Sequence, residues 1–438
     1  MKETLSINNK AMHFISACFL ACMLSTAVFA ADEASAEEGK FHRFWPDNLY
    51  AVDFPSDKVG YIAGYSGSLF KTEDGGETWS GIYMGTNELI RKMSFVDEQN
   101  GWAVGHRGSI LHTADAGLTW EIQKTDAGVY LRDISFADLN NGWAVGHDTH
   151  IWHTADGGKT WESQHLTGFE GRDLPRLHGV IAKDANTAIL VGEFGMVAHT
   201  EDAGNLWMVS FNDDPGTLLS VDYFGDGAIA VGLDGGIYTL MQSTQEQRDE
   251  VTKMRLAKHA KAEAKAMKKA KRRKKAYVAK EYVPFPETEV DYQVTRVDSE
   301  IKEHLYGVTT ASNGRAYVVG VSTLLQVAAN VSEPTVEIPV DGVEAVVKEA
   351  KKVIDKLTEE EPPVLVTYPV DSLKPAEEFP LPYIWMGGVS VTPSGDIWAA
   401  GIGGLIVKGN TTDMTFNTKL NIAAPGAVKL ISNRWGEK

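Results

Sequence analysis

Four stretches of the sequence put a carboxylate in the same short phrase: TEDGGETW from Thr72, TADAGLTW from Thr113, TADGGKTW from Thr154 and TEDAGNLW from Thr200. Asp74, Asp115, Asp156 and Asp202 could serve as general acids or bases, or as cation ligands. Either chemistry asks for more than the phrase supplies. A catalytic carboxylate works beside a second acid or a nucleophile, and four equivalent copies would make four equivalent active sites in one chain. Calcium takes six to eight oxygen ligands, where each turn offers one carboxylate at this place. A turn uses every position. Thr opens it, Asp accepts backbone N–H groups as an Asx-turn, and the Gly two places on adopts positive φ. Trp79, Trp120, Trp161 and Trp207 then lead into the next strand with a large apolar surface. These eight residues are therefore expected to be structural.

The elements that carry the phrase recur with it. A short apolar run closing on Gly appears as YIAG at Gly64, WAVG at Gly105 and Gly146, ILVG at Gly192, IAVG at Gly232, YVVG at Gly320 and WAAG at Gly401. The first four steps are 41, 41, 46 and 40 residues. Within the second unit, IRKMSFV, GWAVG, SILHTA and TWEIQK read as four strands separated by Asp, Asn and Gly turn signals. Units of about 40 residues with four short strands predict a β-propeller, and the repeated phrases predict an all-β, seven-bladed one with four-stranded blades.

The last two steps, 88 and 81 residues, are about twice the period, so insertions are expected there. The first is rich in Ala and Lys and free of Gly and Pro from Met241 to Tyr282, which predicts a helix over Gln247 to Lys280. In the second, Val343, Val346, Val347, Ala350, Ile354 and Leu357 fall at helical spacing before Glu359-Glu360-Glu361-Pro362-Pro363. The expected division is signal peptide 1–30, five blades over 31–240 and a basic helical insertion over 241–300. The sixth blade follows over 301–330, an amphipathic helix with a Pro-rich return over 331–382, and the seventh blade with the C-terminal tail over 383–438.

Alignment of the repeats places Tyr50, Arg91, Arg132, His178, Ser220, Tyr306 and Gly387 at the start of each inner strand, where side chains approach the central channel. Just after the apolar-Gly run stand Tyr65, His106, His147, Glu193, Leu233, Val321 and Ile402. Blades two to four thus hold Arg91, His106, Arg132, His147, His178 and Glu193 in corresponding places. This set is either a basic patch for an acidic loop or C-terminal carboxylate of a partner, because Arg forks match carboxylates, or ordinary blade-edge polarity. A metal site on His106, His147 and His178 asks adjacent blades to approach within coordination distance, about 2.0 to 2.1 Å for Zn–N. No metal or other cofactor is expected.

The Thr-x-Asp-x-Gly-x-x-Trp copies resemble the Asp-box, or bacterial neuraminidase, repeat. The order FxDxxxGWAVGxxGxIxHTxDxGxTW in blades two and three resembles the photosystem II stability/assembly factor-like family of exported propellers. The likeness runs from Leu49 to Thr239, weakens through Leu305 to Asn410, and leaves out the insertions. It implies a non-catalytic propeller that helps assemble or stabilise a membrane-protein complex. Similar proteins in nonphotosynthetic bacteria are linked to RND-superfamily, MMPL-type exporters, and the two insertions favour a client of that kind. The enzyme alternative is a sialidase-like hydrolase, with an Arg cluster, a Tyr nucleophile assisted by Glu, and an acid/base Asp. Arg91, Arg132, Tyr306 and Glu193 are available, but no Arg-Ile-Pro phrase stands near the start. A free-standing ligand-binding propeller is the third class.

Charge and export complete the expectation. Ala11 to Ala30 is nearly unbroken apolar sequence ending in Val28-Phe29-Ala30, a cleavage pattern that predicts a signal peptide and a periplasmic protein peripherally associated with the inner membrane. Ile15-Ser16-Ala17-Cys18 resembles a lipoprotein box, the competing way to process this segment. Cys18 and Cys22 both lie inside it, so a cleaved chain has no disulfide. The formal charge is −17, yet Lys253 to Lys280 holds thirteen Lys or Arg against Glu263. Nucleic acid is not an expected partner. Lys268, Lys269, Lys271, Arg272, Arg273, Lys274 and Lys275 concentrate this charge. They form either a solvated helix or a docking element for anionic headgroups or an acidic protein face.

Overall fold

The computed structural model describes residues 48–123, 128–167, 174–273, 277–279, 292–328, 364–369, 385–411, 416–421 and 429–430, apart from positions 211, 213, 298, 300 and 322. The expected signal peptide, Lys274, Lys275 and residues 331–363 lie outside them. The described strands form seven antiparallel four-strand meanders, two of which gain a short parallel fifth strand. The fold is a β-propeller of four-stranded blades.

The innermost strands are Leu49–Asp53, Ile90–Phe95, Leu131–Phe136, Leu177–Ala182, Leu218–Phe224, Leu305–Thr310 and Met386–Val391, and the aligned residue is second in each except the fifth, where Ser220 is third. Each packs on the next, and the last returns to the first, closing a ring. The core is divided accordingly into clusters between neighbouring blades. Between the last and first sheets, Phe54 stacks on Trp398 at 4.7 Å and meets Trp79 edge-on. Second strands such as Gly101–Gly105 and Gly142–Gly146 are buried along their whole length, which explains their lack of polar alternation. Hydrogen bonds across the inner ring reinforce the packing. Asp53 accepts from Phe95 N–H at 2.7 Å, Ser94 from Phe136 at 3.0 Å, and Asp133 from Val180 at 3.1 Å. Asp222 accepts from Thr310 at 2.8 Å, and Ser390 from Phe54 at 3.1 Å across the closing seam.

The Asp phrase joins strands three and four, as expected of a turn, but its bonding differs from an Asx-turn. Asp74 Oδ1 accepts from the N–H of Thr78, four residues on, at 2.9 Å, and Oδ2 accepts from the Thr78 hydroxyl at 2.6 Å. The buried acceptor is Thr72, whose hydroxyl receives Gly76 N–H at 2.8 Å and donates to Asp74 at 2.9 Å. Thr113, Thr154 and Thr200 repeat the arrangement. Trp79 and Trp207 are buried, while Trp120 and Trp161 are half-buried.

Both long steps between repeats interrupt a blade at this same connection. The fifth sheet runs Leu218–Phe224, Gly227–Gly232, Ile237–Gln242 and then Tyr292–Arg296. The sixth runs Leu305–Thr310, Arg315–Gly320, Thr323–Ala328 and then Val364–Pro369. Outermost strands therefore fall inside the segments 241–300 and 331–382, expected to be wholly insertion, because pairing with a third strand far back in sequence recruits them. The basic helix spans Gln245–Arg272, shorter at its C-terminal end than expected. Thr244 and Gln247 form a reciprocal capping box at its start.

Candidate functional site

Antiparallel meanders place connections one–two and three–four on one face, and connections two–three and four–one on the other. Hydrogen bonds confirm both groupings. Gly75 N–H in the Asp phrase bonds Lys58 O, and Ala116, Gly157 and Ala203 bond Gln99, Asn140 and Asn186 in the same way. On the opposite face, His106, His147, Glu193, Leu233, Val321 and Ile402 donate N–H groups to Leu89, Tyr130, Arg176, Thr217, His304 and Trp385. The Arg and His set occupies this second face. The basic helix, inserted between strands three and four, is rooted on the first.

Six of the seven aligned positions are equivalent in the strands; in the fifth sheet the equivalent residue is Leu219, and the aligned Ser220 stands one place further on, at the position of Lys92, because the extra residue after the strand's first pair is Leu219 there, as it is Arg91 in the second sheet. Tyr50, Arg91, Arg132, His178, Ser220, Tyr306 and Gly387 line one solvent-open cavity at the propeller axis. Arg91 lays its guanidinium over the Tyr50 ring at 4.6 Å, and its buried Nε has no hydrogen-bond partner. Arg132 Nε donates to His147 Nε2 at 3.1 Å, so His147 accepts through that nitrogen. Neither arginine has a carboxylate within ion-pairing distance among the described residues.

Electrostatics follow from this crowding. Burial, then the neighbouring Arg91 and Arg176, push Arg132 down to about 10, still charged at neutral pH. Burial, then Arg132 and Arg91, depress His178 to about 3. Burial and nearby arginines also lower His106 and His147, so these imidazoles are neutral near pH 7. His106 and His147 flank the Tyr130 ring at 4.4 and 5.2 Å. No group of three His, Cys, Asp or Glu among the described residues is placed to hold a metal ion. Burial raises Asp53, Asp133 and Asp222, and Lys92, which lines the cavity with Asp133, attracts all three.

Glu193 departs from the expected role. Its carboxylate accepts from Arg176 N–H at 3.1 Å and pairs with the Arg176 side chain at 3.3 Å, so it organises a cation the sequence reasoning missed. Arg176 sits just before an inner strand, at the position held elsewhere by Leu89 and Tyr130. The same position in the last sheet holds Trp385, which packs near Tyr50 at 5.3 Å and Tyr306 at 6.0 Å. Aligning the residue before each inner strand would have found both. Lys268, Lys269, Lys271, Arg272 and Arg273 are exposed along the far half of the basic helix and belong to a different surface. No described helix is long and apolar enough to cross a membrane.

The described sheets form a closed ring of four-stranded blades with a cationic, aromatic-lined axial mouth, which defines a β-propeller. A family model described as photosynthesis system II assembly factor YCF48 matches residues 78–330, more than half of the sequence. The chain belongs to that family. Among solved structures, YCF48 from Cyanidioschyzon merolae is 13% identical, with a TM-score of 0.52 and coverage of 85% of this chain and 99% of that one. The RRP9 WD40 repeats are 9% identical, with a TM-score of 0.51 and coverage of 85% and 89%. A structure of YCF48 bound to D1 peptide is 13% identical, with a TM-score of 0.49 and coverage of 84% and 93%. The likenesses to the Cyanidioschyzon merolae structure and the RRP9 repeats bear on the fold alone. No curated protein matches the sequence.

Proposed function

We propose that this chain, counting each sheet as one blade of a seven-bladed propeller, is a non-catalytic assembly or stability factor. Its axial mouth receives a carboxylate-bearing segment of a membrane-protein client. The observation that carries the reading is the convergence of Arg91 and Arg132 on one cavity with no carboxylate paired to either among the described residues. Guanidinium groups keep their charge at pH 7 and present planar donors suited to a carboxylate. Neutral His178 and His147 beside them leave that charge unopposed without adding to it. Membership of an assembly-factor family supports the non-catalytic role.

The client we favour is an inner-membrane complex of the RND exporter type, met in the periplasm after export. The basic helix is assigned to anionic lipid headgroups, each Lys near such a surface contributing about 1 kcal/mol. Its root on the face opposite the mouth lets helix and mouth engage two surfaces at once. Tagged full-length protein cross-linked in membranes and then solubilised tests the reading. Wild type is expected to retain one dominant membrane protein, and the double variant Arg91→Gln/Arg132→Gln at least about tenfold less, from about 1.5 to 3 kcal/mol per charged hydrogen bond. Equal retention by the double variant, or recovery of the propeller alone, overturns it.

A further inference from the structure

The connection between strands two and three is built alike in six of the seven described sheets, and its middle residue is left-handed. Ser66, Arg107, Asp148, Phe194, Asp234 and Gly403 occupy this place with φ between 54° and 61°. Glycine takes that conformation without penalty, and Asp tolerates it; for a bulky residue it is an outlier. The last sheet uses Gly403, and nothing lies within 4 Å of where a Cβ there would stand. The turn itself therefore asks for no side chain. Phe194 is nevertheless 61% exposed, so core packing does not offset its strained backbone.

Phe194 borders the candidate site. It follows Glu193, which holds Arg176, and Arg176 stands close enough to Arg132 to lower its pKa. The turn of the preceding blade is tied to two loops, with Thr149 N–H on Pro175 O at 3.0 Å and His147 N–H on Tyr130 O at 3.0 Å. Tyr130, Leu174 and Phe194 are exposed, and these bonded loops carry all three on the same propeller face as Arg91 and Arg132. Charge and apolar surface lie side by side there, and a partner segment that offers both a carboxylate and a large apolar side chain is complementary to them.

We propose that Phe194, with Leu174 and Tyr130, is an apolar shelf selecting client segments that carry a large apolar residue next to the carboxylate bound at Arg91 and Arg132. This rests on the carboxylate reading above and adds the side-chain specificity. Partial burial of a leucine on an open shelf is worth about five- to tenfold in affinity, a fraction of full burial.

Fluorescence polarisation tests it with labelled Gly-Ser heptapeptides in which one leucine is walked through the internal positions, each made as a free acid and as a C-terminal amide, beside a leucine-free control. Wild type is expected to prefer free acid over amide, and at least one leucine position over the control by about fivefold. Phe194→Gly and Phe194→Asn both suit a left-handed turn. Each should abolish the leucine preference, keep the acid preference, and leave the thermal midpoint unchanged or higher. Retention of the leucine preference by both variants, or a lowered midpoint in both, overturns the shelf. Loss of acid preference in wild type overturns instead the carboxylate reading, and the shelf with it.

Discussion

Removing the Thr72 hydroxyl is expected to destabilise the protein more than removing the Asp74 carboxylate, although the Asp gives the repeat its name. Thr72 is 1% exposed, and its hydroxyl is the acceptor for Gly76 N–H, which is buried and would otherwise be orphaned. Thr72→Val keeps the volume, creates no cavity, and leaves that N–H unpaired at a cost of about 2 kcal/mol. Asp74 accepts three hydrogen bonds, but its carboxylate is exposed and water can take over much of their worth, so Asp74→Ala should cost about 1 kcal/mol. The pH dependence separates the two. The slight burial of Asp74 raises its pKa, but hydrogen bonds from Thr78 and Thr72 outweigh this and hold it below the ordinary value. A depressed carboxylate stabilises above its unfolded pKa and loses that contribution as pH falls through the folded one. The Asp74→Ala penalty should therefore fade below about pH 4, while the cost of leaving Gly76 N–H unpaired in Thr72→Val persists. Urea unfolding followed by tryptophan fluorescence at pH 7 and pH 3.5 measures both. An Asp74→Ala penalty at pH 7 equal to or above that of Thr72→Val refutes the reasoning.

Asp222, buried and raised to about 6, should show the opposite sign. Its contribution is complete below about pH 4 and declines as pH rises through 6, so the Asp222→Ala penalty should be about 3 kcal/mol larger at pH 4 than at pH 8 in urea unfolding. Ser390→Ala removes the acceptor of Phe54 N–H at the closing seam and should cost about 1 to 2 kcal/mol, read as a lower urea midpoint. Replacing residues 244–291 by a short turn should leave the melting temperature within a few degrees and abolish salt-sensitive binding to phosphatidylglycerol vesicles. Unchanged vesicle binding would remove the basic helix from that role.

The sequence alone determined the repeating unit, because each blade is a local meander whose turns and buried second strand leave a period of about 41 residues. Side-chain alternation is locked to that period, so aligning the repeats also brings Tyr50, Arg91, Arg132 and His178 to one axis. Tertiary structure decided what depends on contacts distant in sequence. It drew Tyr292–Arg296 and Val364–Pro369 back across the insertions as outermost strands, pairings set by a partner dozens of residues away. Meander geometry then put the basic helix and the arginine mouth on opposite faces, although both look like one positive charge pattern in the linear chain. It also assigned the buried hydrogen bond of the Asp phrase to its threonine, since whether a polar atom needs its partner depends on burial, which packing confers.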